Sequence, residues 1–193
     1  MAGWVGRRIA RAPENQRGDS AALICLVVLA VALAFYGYKH WHGQPLIGGA
    51  WYKHWDGKPL VGAALVVDGD SLEISGARIR LTGIDAPEMR QTCTDARRET
   101  WSCGRAAARE LRAHVGDREL KCEQTGIDRY RRMLAVCFLP DGSDVNAWMV
   151  RQGWAVVFGY GPNYRAEQAE AKAARRGIWA GTFTTPAEWR QRH

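Results

Sequence analysis

The sequence predicts an α+β protein: a five-stranded OB-type β-barrel with three helices, preceded by an N-terminal transmembrane or signal helix. Two observations predict this class. Residues 21–38 form an uncharged apolar stretch, and the later chain follows the order of three short strands, a helix, two strands and two helices. Five strands suffice for a small closed barrel. The 193 residues have room for one such domain and a tail.

The N-terminal region is first basic and then apolar. Residues 1–20 contain four arginines, and residues 21–38 (AALICLVVLAVALAFYGY) carry no charge. About 17 to 25 apolar residues can span a bilayer as a helix, and flanking positive charge keeps that end in the cytoplasm. We therefore expect a single-pass protein of the cell membrane whose C-terminal domain lies outside. The alternative is a signal peptide cleaved near Ala32 and Ala34, which gives a secreted protein.

A near repeat occupies residues 39–58 and its borders. YKHWHGQPLIGGA recurs fourteen residues later as YKHWDGKPLVGAA, and the second copy runs directly into the first predicted strand. We interpret the first copy as a duplicated linker between membrane and barrel. The alternatives are an aromatic and cationic patch on lipid headgroups, or a metal site formed by His40, His42 and His54.

Residues 59–182 are predicted to form the barrel domain, which opens with a β-meander. The stretch AALVVDGDSLEISGARIRLTGID contains strands at residues 63–67, 71–74 and 78–82. The turn sequences DGD and SG join them.

One amphipathic helix follows the meander. Ser102 is predicted to cap it, and its sequence CGRAAARELRAHV places Ala107, Leu111 and Val115 on one face. Gly116 ends the helix, because glycine tolerates a positive φ.

Two strands and two helices complete the predicted domain. The strands are residues 118–123 and 133–139, on either side of the polar turn GIDRYRR. Asp144 is predicted to cap the helix VNAWMVRQ, and Gly177 to stop a last helix NYRAEQAEAKAARR. Residues 183–193 are expected to be a C-terminal extension.

Four cysteines follow the apolar segment: Cys93, Cys103, Cys122 and Cys137. An even number in an exported domain predicts two disulfides, and no C-x-x-C pair or histidine pair indicates zinc. We favour Cys93 with Cys103 across a local loop and Cys122 with Cys137 across a hairpin, although the sequence permits three connectivities.

Three motifs carry candidate chemistry, and the net charge of +7 favours an acidic partner for them, either nucleic acid or an anionic membrane surface. They are VVDGDSLEI (66–74), IRLTGIDAPE (79–88) and DRYRRMLA (128–135). Asp70 and Asp85 are expected at the ends of neighbouring strands, where two carboxylates repel unless they are protonated or bridged by a cation. Carboxylate oxygens suit a hard divalent cation, most naturally Ca²⁺.

The same motifs provide groups that suit a phosphodiester. Pro87 stiffens the exit of the third strand, so that Glu88 can turn back and accept a proton from a water near the metal. Arg80 comes from the same strand as Asp85, and Arg132 comes from the facing hairpin. Forked guanidinium donors pair with phosphate oxygens as negative charge develops on them.

In this order and with these intervals, DGD, RLTGIDAPE and DRYRR resemble the successive motifs of staphylococcal nuclease and its thermonuclease-like relatives. The resemblance covers about residues 59–179. It implies an OB barrel with a Ca²⁺ site that hydrolyses DNA and RNA to products with 5′-hydroxyl and 3′-phosphate ends. The implied site residues are the metal ligands Asp70, Asp85 and, through its carbonyl, Ala86, and the catalytic residues Arg80, Glu88 (the general base) and Arg132.

The sequence departs from this family at several positions. Ala86 replaces a threonine, which matters little if only its carbonyl binds the metal, and Arg131 replaces a glycine beside the catalytic arginine. The family's paired tyrosines that pack on a nucleotide base do not align cleanly. Phe158 and Tyr160 are the candidates for this substrate-binding role.

We expect a monomeric, Ca²⁺-dependent nuclease that acts on DNA and/or RNA and is attached to the membrane through residues 21–38. The main alternative is a non-catalytic, membrane-tethered OB module that binds single-stranded nucleic acid. Such a module needs the cations but gains nothing from a carboxylate cluster that faces phosphate. A third reading is a structural membrane protein that uses the domain as a partner surface and has no activity.

Overall fold

The computed structural model describes residues 57–159 and 161–193. The basic N-terminus, the apolar segment 21–38 and most of the repeat 39–58 lie outside these residues, so their roles stay predictions. Among the residues described, no helix is long and apolar enough to cross a membrane.

Strands and helices alternate along the described chain. The strands are β1 (Leu60–Val66), β2 (Ser71–Ile74), β3 (Ala77–Leu81), β4 (Ile84–Asp85), β5 (Cys93–Thr94), β6 (Thr100–Trp101), β7 (Glu119–Ile127), β8 (Met133–Phe138) and β9 (Val156–Val157). The helices are α1 (Cys103–Val115), α2 (Val145–Arg151), α3 (Arg165–Ala173), a 3₁₀ turn (Gly177–Ala180) and α4 (Pro186–Arg192).

Five strands close into a barrel in the order β1-β2-β3-β8-β7. The pairs are antiparallel except β3 with β8, which run parallel and are joined by a long connection that includes α1 and β7. A shift in register between Gln124 and Gly126 interrupts the β7–β8 ladder, as a β-bulge does where a strand bends. The predicted five-stranded barrel with helices is confirmed.

The strand boundaries differ from the prediction where pairing with a neighbouring strand extends a strand beyond the residues that carry a local sequence signal. The second strand has the predicted bounds 71–74. Strand β1 begins at Leu60, three residues early, because Leu60 pairs with Cys122. Strand β7 runs on to Ile127, within the predicted polar turn, because Ile127 pairs with Met133. The two-residue strands β4, β5, β6 and β9 are too short to show a period.

Alternating residues of the barrel strands fill its interior. Leu72, Ile74, Ile79, Leu81 and Leu120 are each at most 1% exposed. The predicted apolar face of α1 belongs to the same buried cluster. Burying a side chain of this size contributes about 1.5–3 kcal/mol, so this shared core fixes the barrel against α1.

The predicted starts of α1 and α2 are correct, with one difference in mechanism, but the last predicted helix ends early: α3 stops at Ala173, and Gly177, which was predicted to stop it, begins the 3₁₀ turn. Ser102 immediately precedes α1, but its side chain makes no capping hydrogen bond. Gly116 ends the helix with a φ of 58°. Asp144 caps α2 as predicted, since its Oδ1 accepts from the backbone N–H of Ala147 at 2.9 Å.

A fourth α-helix, α4, lies within the range expected to be a C-terminal extension. Thr185 and Glu188 form a capping box, in which each side chain accepts a hydrogen bond from the other residue's backbone N–H. Pro186 occupies the first turn, where its missing N–H costs nothing. Three helices were predicted because seven residues give too little periodicity to identify α4.

Both favoured disulfides are present. The bond between Cys93 and Cys103 joins β5 to the first residue of α1. The bond between Cys122 and Cys137 joins directly opposite residues of β7 and β8.

Candidate active site

Asp70 occupies the tight turn between β1 and β2. Its backbone N–H donates to Asp68 Oδ1 at 3.0 Å, and the residue is 3% exposed. Gly69 allows this turn to lie against the rest of the site, because a Cβ there would come within 2.6 Å of the Ala86 Cβ. Close packing therefore favours glycine at position 69, between the two aspartates of the turn.

Arg80 joins the two predicted metal-binding carboxylates. From β3, its Nη1 donates to Asp70 Oδ1 and its Nη2 to Asp85 Oδ1, both at 2.7 Å. The strand register places Arg80 opposite Ser71, next to Asp70. Asp85 lies in β4, directly beyond the end of β3, and its side chain is 0% exposed. The predicted proximity of the two aspartates is thus present.

The carboxyl group of Asp70 ionises less readily than that of an exposed aspartate. Burial raises the pKa of Asp70 to about 7, although the Arg80 guanidinium opposes that rise. The negative charges of Asp68 and Asp85 raise it further. A second cation beside these carboxylates would favour their ionised forms.

The segment after β4 brings Ala86 and Glu88 to the same cluster. The Ala86 backbone N–H donates to Asp70 Oδ2 at 2.8 Å, which fixes the plane of that carboxylate. The Glu88 side chain is 34% exposed, so it can reach solvent. Gly104 at the start of α1 lies under the Glu88 carbonyl, which a side chain at position 104 would overlap.

Arg132 lies on the β7–β8 hairpin and pairs with Asp128 rather than with the aspartates of the cluster. Its Nε donates to Asp128 Oδ2 at 2.7 Å, and its backbone N–H donates to Asp128 Oδ1 at 2.9 Å. Arg131 has a φ of 66°, the left-handed region that glycine favours, so the hairpin keeps a glycine-like backbone despite the substitution. The structure therefore brings Asp70, Arg80 and Asp85 into direct contact, with Arg132 held separately.

Of the two residues predicted to pack on a nucleotide base, Phe158 is among the described residues. Phe158 is 47% exposed, and its backbone N–H donates to the Gly83 carbonyl at 3.0 Å. This bond ties the segment after β9 to the β3–β4 turn, close in the chain to Asp85. Tyr160 lies outside the described residues.

Arg190 of helix α4 adds a guanidinium that the sequence analysis did not identify. Its Nη1 donates to Asp85 Oδ1 at 3.0 Å and to Glu88 Oε1 at 2.8 Å, and its Nη2 donates to Asp85 Oδ2 at 3.0 Å. Hydrogen bonds to Asp85 raise the pKa of Arg190 above its ordinary value although burial opposes this, and Glu88 adds to the rise. The cluster therefore has three carboxylates and two guanidiniums.

Residues 78–181, more than half of the chain, match the family model described as Staphylococcal nuclease homologue. The chain belongs to the staphylococcal nuclease homologue family. The match includes Arg80, Asp85, Glu88 and Arg132, while Asp70 precedes it.

Named relatives of this staphylococcal nuclease homologue carry two kinds of description. It is 41% identical over 172 residues to the "Succinoglycan biosynthesis protein ExoI" of Rhizobium meliloti, covering 88% of this chain and 82% of the relative. It is 34% identical to an "Uncharacterized endonuclease" of Escherichia coli O157:H7, covering 60% of this chain and 71% of the relative. It is 33% identical to the "Probable endonuclease LCL3" of Scheffersomyces stipitis, covering 60% and 53%. Relatives named endonuclease support nuclease activity in this family member.

Gln91 is a second residue of this staphylococcal nuclease homologue that sequence reasoning missed. It is 0% exposed; its Oε1 accepts from the Glu88 backbone N–H at 3.1 Å, and its Nε2 donates to the Thr184 carbonyl at 2.7 Å. Gln91 thereby connects the segment that carries Glu88 to the residues that enter α4. A lone glutamine in a loop gives no signal for such a role.

The sequence did contain a signal for α4 itself. Thr185, Pro186 and Glu188 follow the capping-box pattern with proline at the first helical position. That pattern could have located the helix. Its docking against Asp85 could not have been found, because 105 residues separate Arg190 from Asp85.

Proposed function

We propose that the protein is a Ca²⁺-dependent nuclease that hydrolyses phosphodiester bonds of DNA and/or RNA. The observation that carries this proposal is the contact of Arg80 with both Asp70 and Asp85 at the edge of the barrel, in a chain of the staphylococcal nuclease homologue family. A guanidinium and a carboxylate pair at one partly open site supply the opposite charges that a phosphate and its counter-cation need.

The donor set fits a hard cation. An ionised carboxylate has about four lone-pair sites. Asp70 Oδ1 accepts from Arg80 and Ser71, while Oδ2 accepts from Ala86 N–H. Asp85 Oδ1 accepts from Arg80 and Arg190, and Oδ2 from Arg190. Among the described contacts, one lone pair therefore remains on the Oδ2 atom of each aspartate.

These two carboxylates, with the Ala86 carbonyl, would hold Ca²⁺, and water would complete its coordination. Within the described part of the chain, no group of three or more His, Cys, Asp or Glu side chains is arranged so that it could hold a metal ion, so two carboxylates and one carbonyl are the protein ligands proposed here. When bound, the cation neutralises charge on the phosphate and polarises its oxygens.

The side chains of the protein perform the remaining steps. Glu88, partly exposed beside buried Asp85, accepts a proton from the attacking water as the water oxygen bonds to phosphorus. The bond between phosphorus and the leaving sugar oxygen breaks, and that oxygen takes a proton from solvent water. Arg80 donates to a nonbridging phosphate oxygen as negative charge develops there. Arg132 binds Asp128 through Nε, which leaves its paired Nη groups for a second phosphate oxygen.

The experiment is cleavage of DNA and of RNA by the full chain, with Ca²⁺ and with excess chelator. We expect cleavage that requires the cation and falls by about 10² or more in Glu88→Gln. Glu123→Gln is the matched control, since Glu123 is an exposed β7 residue paired with Lys121. Activity in chelator would reject the metal, and binding without cleavage would favour a non-catalytic OB module.

A second candidate follows from the 41% identical relative named for succinoglycan biosynthesis. If the protein acts in that process, deletion of its gene should lower succinoglycan production, and the Glu88→Gln chain should fail to restore it. Restoration by Glu88→Gln would separate such a role from hydrolysis.

A further inference from the structure

Arg190 contacts the proposed base but lies outside residues 78–181, which match the family model. We propose that Arg190 is a positioning residue, which holds the Glu88 carboxylate at a fixed distance from Asp85 so that Glu88 can act on water beside the cation site. The inference deepens the proposed nuclease function and rests on it.

The geometry of the guanidinium supports this role. Its two terminal nitrogens bind both oxygens of Asp85, and Nη1 also binds Glu88 Oε1. Asp85 is fully buried and serves as the anchor, whereas the Glu88 side chain is 34% exposed. An exposed glutamate otherwise samples several rotamers, so this one bridging nitrogen sets where the carboxylate lies.

The charges of the cluster lead to the same conclusion. Without Arg190, the carboxylates of Asp70, Asp85 and Glu88 would share the single guanidinium of Arg80, which contacts both aspartates. Like charges repel, and only Glu88 has access to solvent into which it can turn. Arg190 opposes that movement.

The anchoring of α4 argues against a helix that leaves the site during each reaction cycle. The Gln91 side chain binds the Thr184 carbonyl before the helix, and Pro186 in its first turn is buried. Thr182, two residues before Thr184, forms hydrogen bonds with Thr94 through its hydroxyl and its backbone N–H. A displaceable inhibitory arm would have to break these contacts, whereas a positioning arm uses them.

The first test measures kcat and KM of the full chain at saturating Ca²⁺ on a DNA substrate. We expect Arg190→Gln to lower kcat by about 10- to 100-fold, the effect of misplacing a reacting group by about 1 Å, with KM changed less than about twofold. Arg190→Lys should recover only part of the loss, because an ammonium cannot bind both carboxylates in a fork. Arg192→Gln, in the same helix, is the control and should match the wild type.

A second comparison shows whether Arg190 acts through Glu88. In a Glu88→Gln background, Arg190→Gln should cause no further loss of kcat, since the base is already absent. The same fold-loss in both backgrounds would overturn the proposal. Unchanged kcat in Arg190→Gln would also overturn it, and a higher kcat would overturn it and identify the helix as an inhibitory arm.

A third measurement is independent of catalysis. In chelator, the midpoints of thermal unfolding of wild type, Arg190→Gln, Glu88→Gln and the double variant form a cycle, and we expect non-additive shifts. Additive shifts would reject the contact. If the wild type cleaves no nucleic acid while this cycle is non-additive, the nuclease function fails and the contact stands. Arg190→Lys replaces Arg190→Gln in both cycles if the latter does not fold.

Discussion

Replacing Arg80 or Arg132 with Gln should impair the same reaction but affect folding differently. Both arginines are proposed to donate to phosphate, so each variant should lose about 10² or more in kcat/KM. Only Arg80, however, also compensates two buried carboxylates in the absence of substrate. We expect Arg80→Gln to be clearly less stable than Arg132→Gln.

The structure gives the size of that difference. Arg80 makes two 2.7 Å ion pairs with aspartate side chains that are 5% and 0% exposed. Removing one partner of a buried pair costs about 3–5 kcal/mol, and the lower value applies because Asp85 keeps Arg190. Arg132 and Asp128 are 24% and 15% exposed and belong to one hairpin, so their pair contributes about 1 kcal/mol. The expected gap in unfolding free energy is about 2 kcal/mol.

The assay is urea unfolding of both variants in chelator, followed by cleavage measurements with Ca²⁺. A gap of about 2 kcal/mol corresponds to roughly 4–8 °C in Tm for a protein of this size. Equal stabilities would refute the reasoning that Arg80 compensates buried charge in the free protein. Wild-type cleavage by Arg132→Gln would refute its part in binding phosphate.

Three further outcomes are expected. Burial, followed by the neighbouring charge of Arg118, lowers the pKa of His114 from 6.5. The unfolded chain therefore binds the proton more tightly than the folded protein does, so the stability present above about pH 6.5 declines as pH falls towards the lowered pKa, and His114→Phe should flatten this slope in urea titrations. Gln91→Ala should cost about 2–4 kcal/mol in the same assay, since two hydrogen bonds of a fully buried side chain are lost; a cost below about 1 kcal/mol would show that water replaces them. Replacing Cys122 and Cys137 together with Ser should cost about 3 kcal/mol, the chain-entropy value for a loop of about 15 residues, and full retention of Tm would contradict it.

The sequence predicts the barrel well because its strands carry their own signals. Strand β2 has the predicted bounds, and the Asp70 turn and the Gly116 helix end lie where their residue types require. The signals fail where tertiary pairing decides. Ile127 continues β7 only because Met133 lies opposite, and β4 is a strand only because Asp85 pairs with Val156 of β9.

The site was predictable to the extent that its groups follow strand ends. Strand register places Arg80 of β3 beside the DGD turn, and Asp85 follows β3 closely in the chain and contacts Arg80. Arg132 was placed with them, but it pairs with Asp128 in the structure. Nothing local in the last eleven residues indicates that Arg190 returns to the cluster.

The disulfide between Cys93 and Cys103 gives a physical reason why that return is possible. It fixes β5 against the start of α1, and the Thr94 backbone N–H donates to the Thr182 carbonyl at 2.9 Å. The chain from Thr182 then needs only a few residues to reach α4, whose position sets Arg190. This disulfide takes no part in the proposed reaction, yet it stabilises the contact between Arg190 and the proposed base. Reduction of this disulfide should then loosen α4 before the barrel unfolds, because the barrel core is formed by other residues, and protease sensitivity near the C-terminus would reveal it.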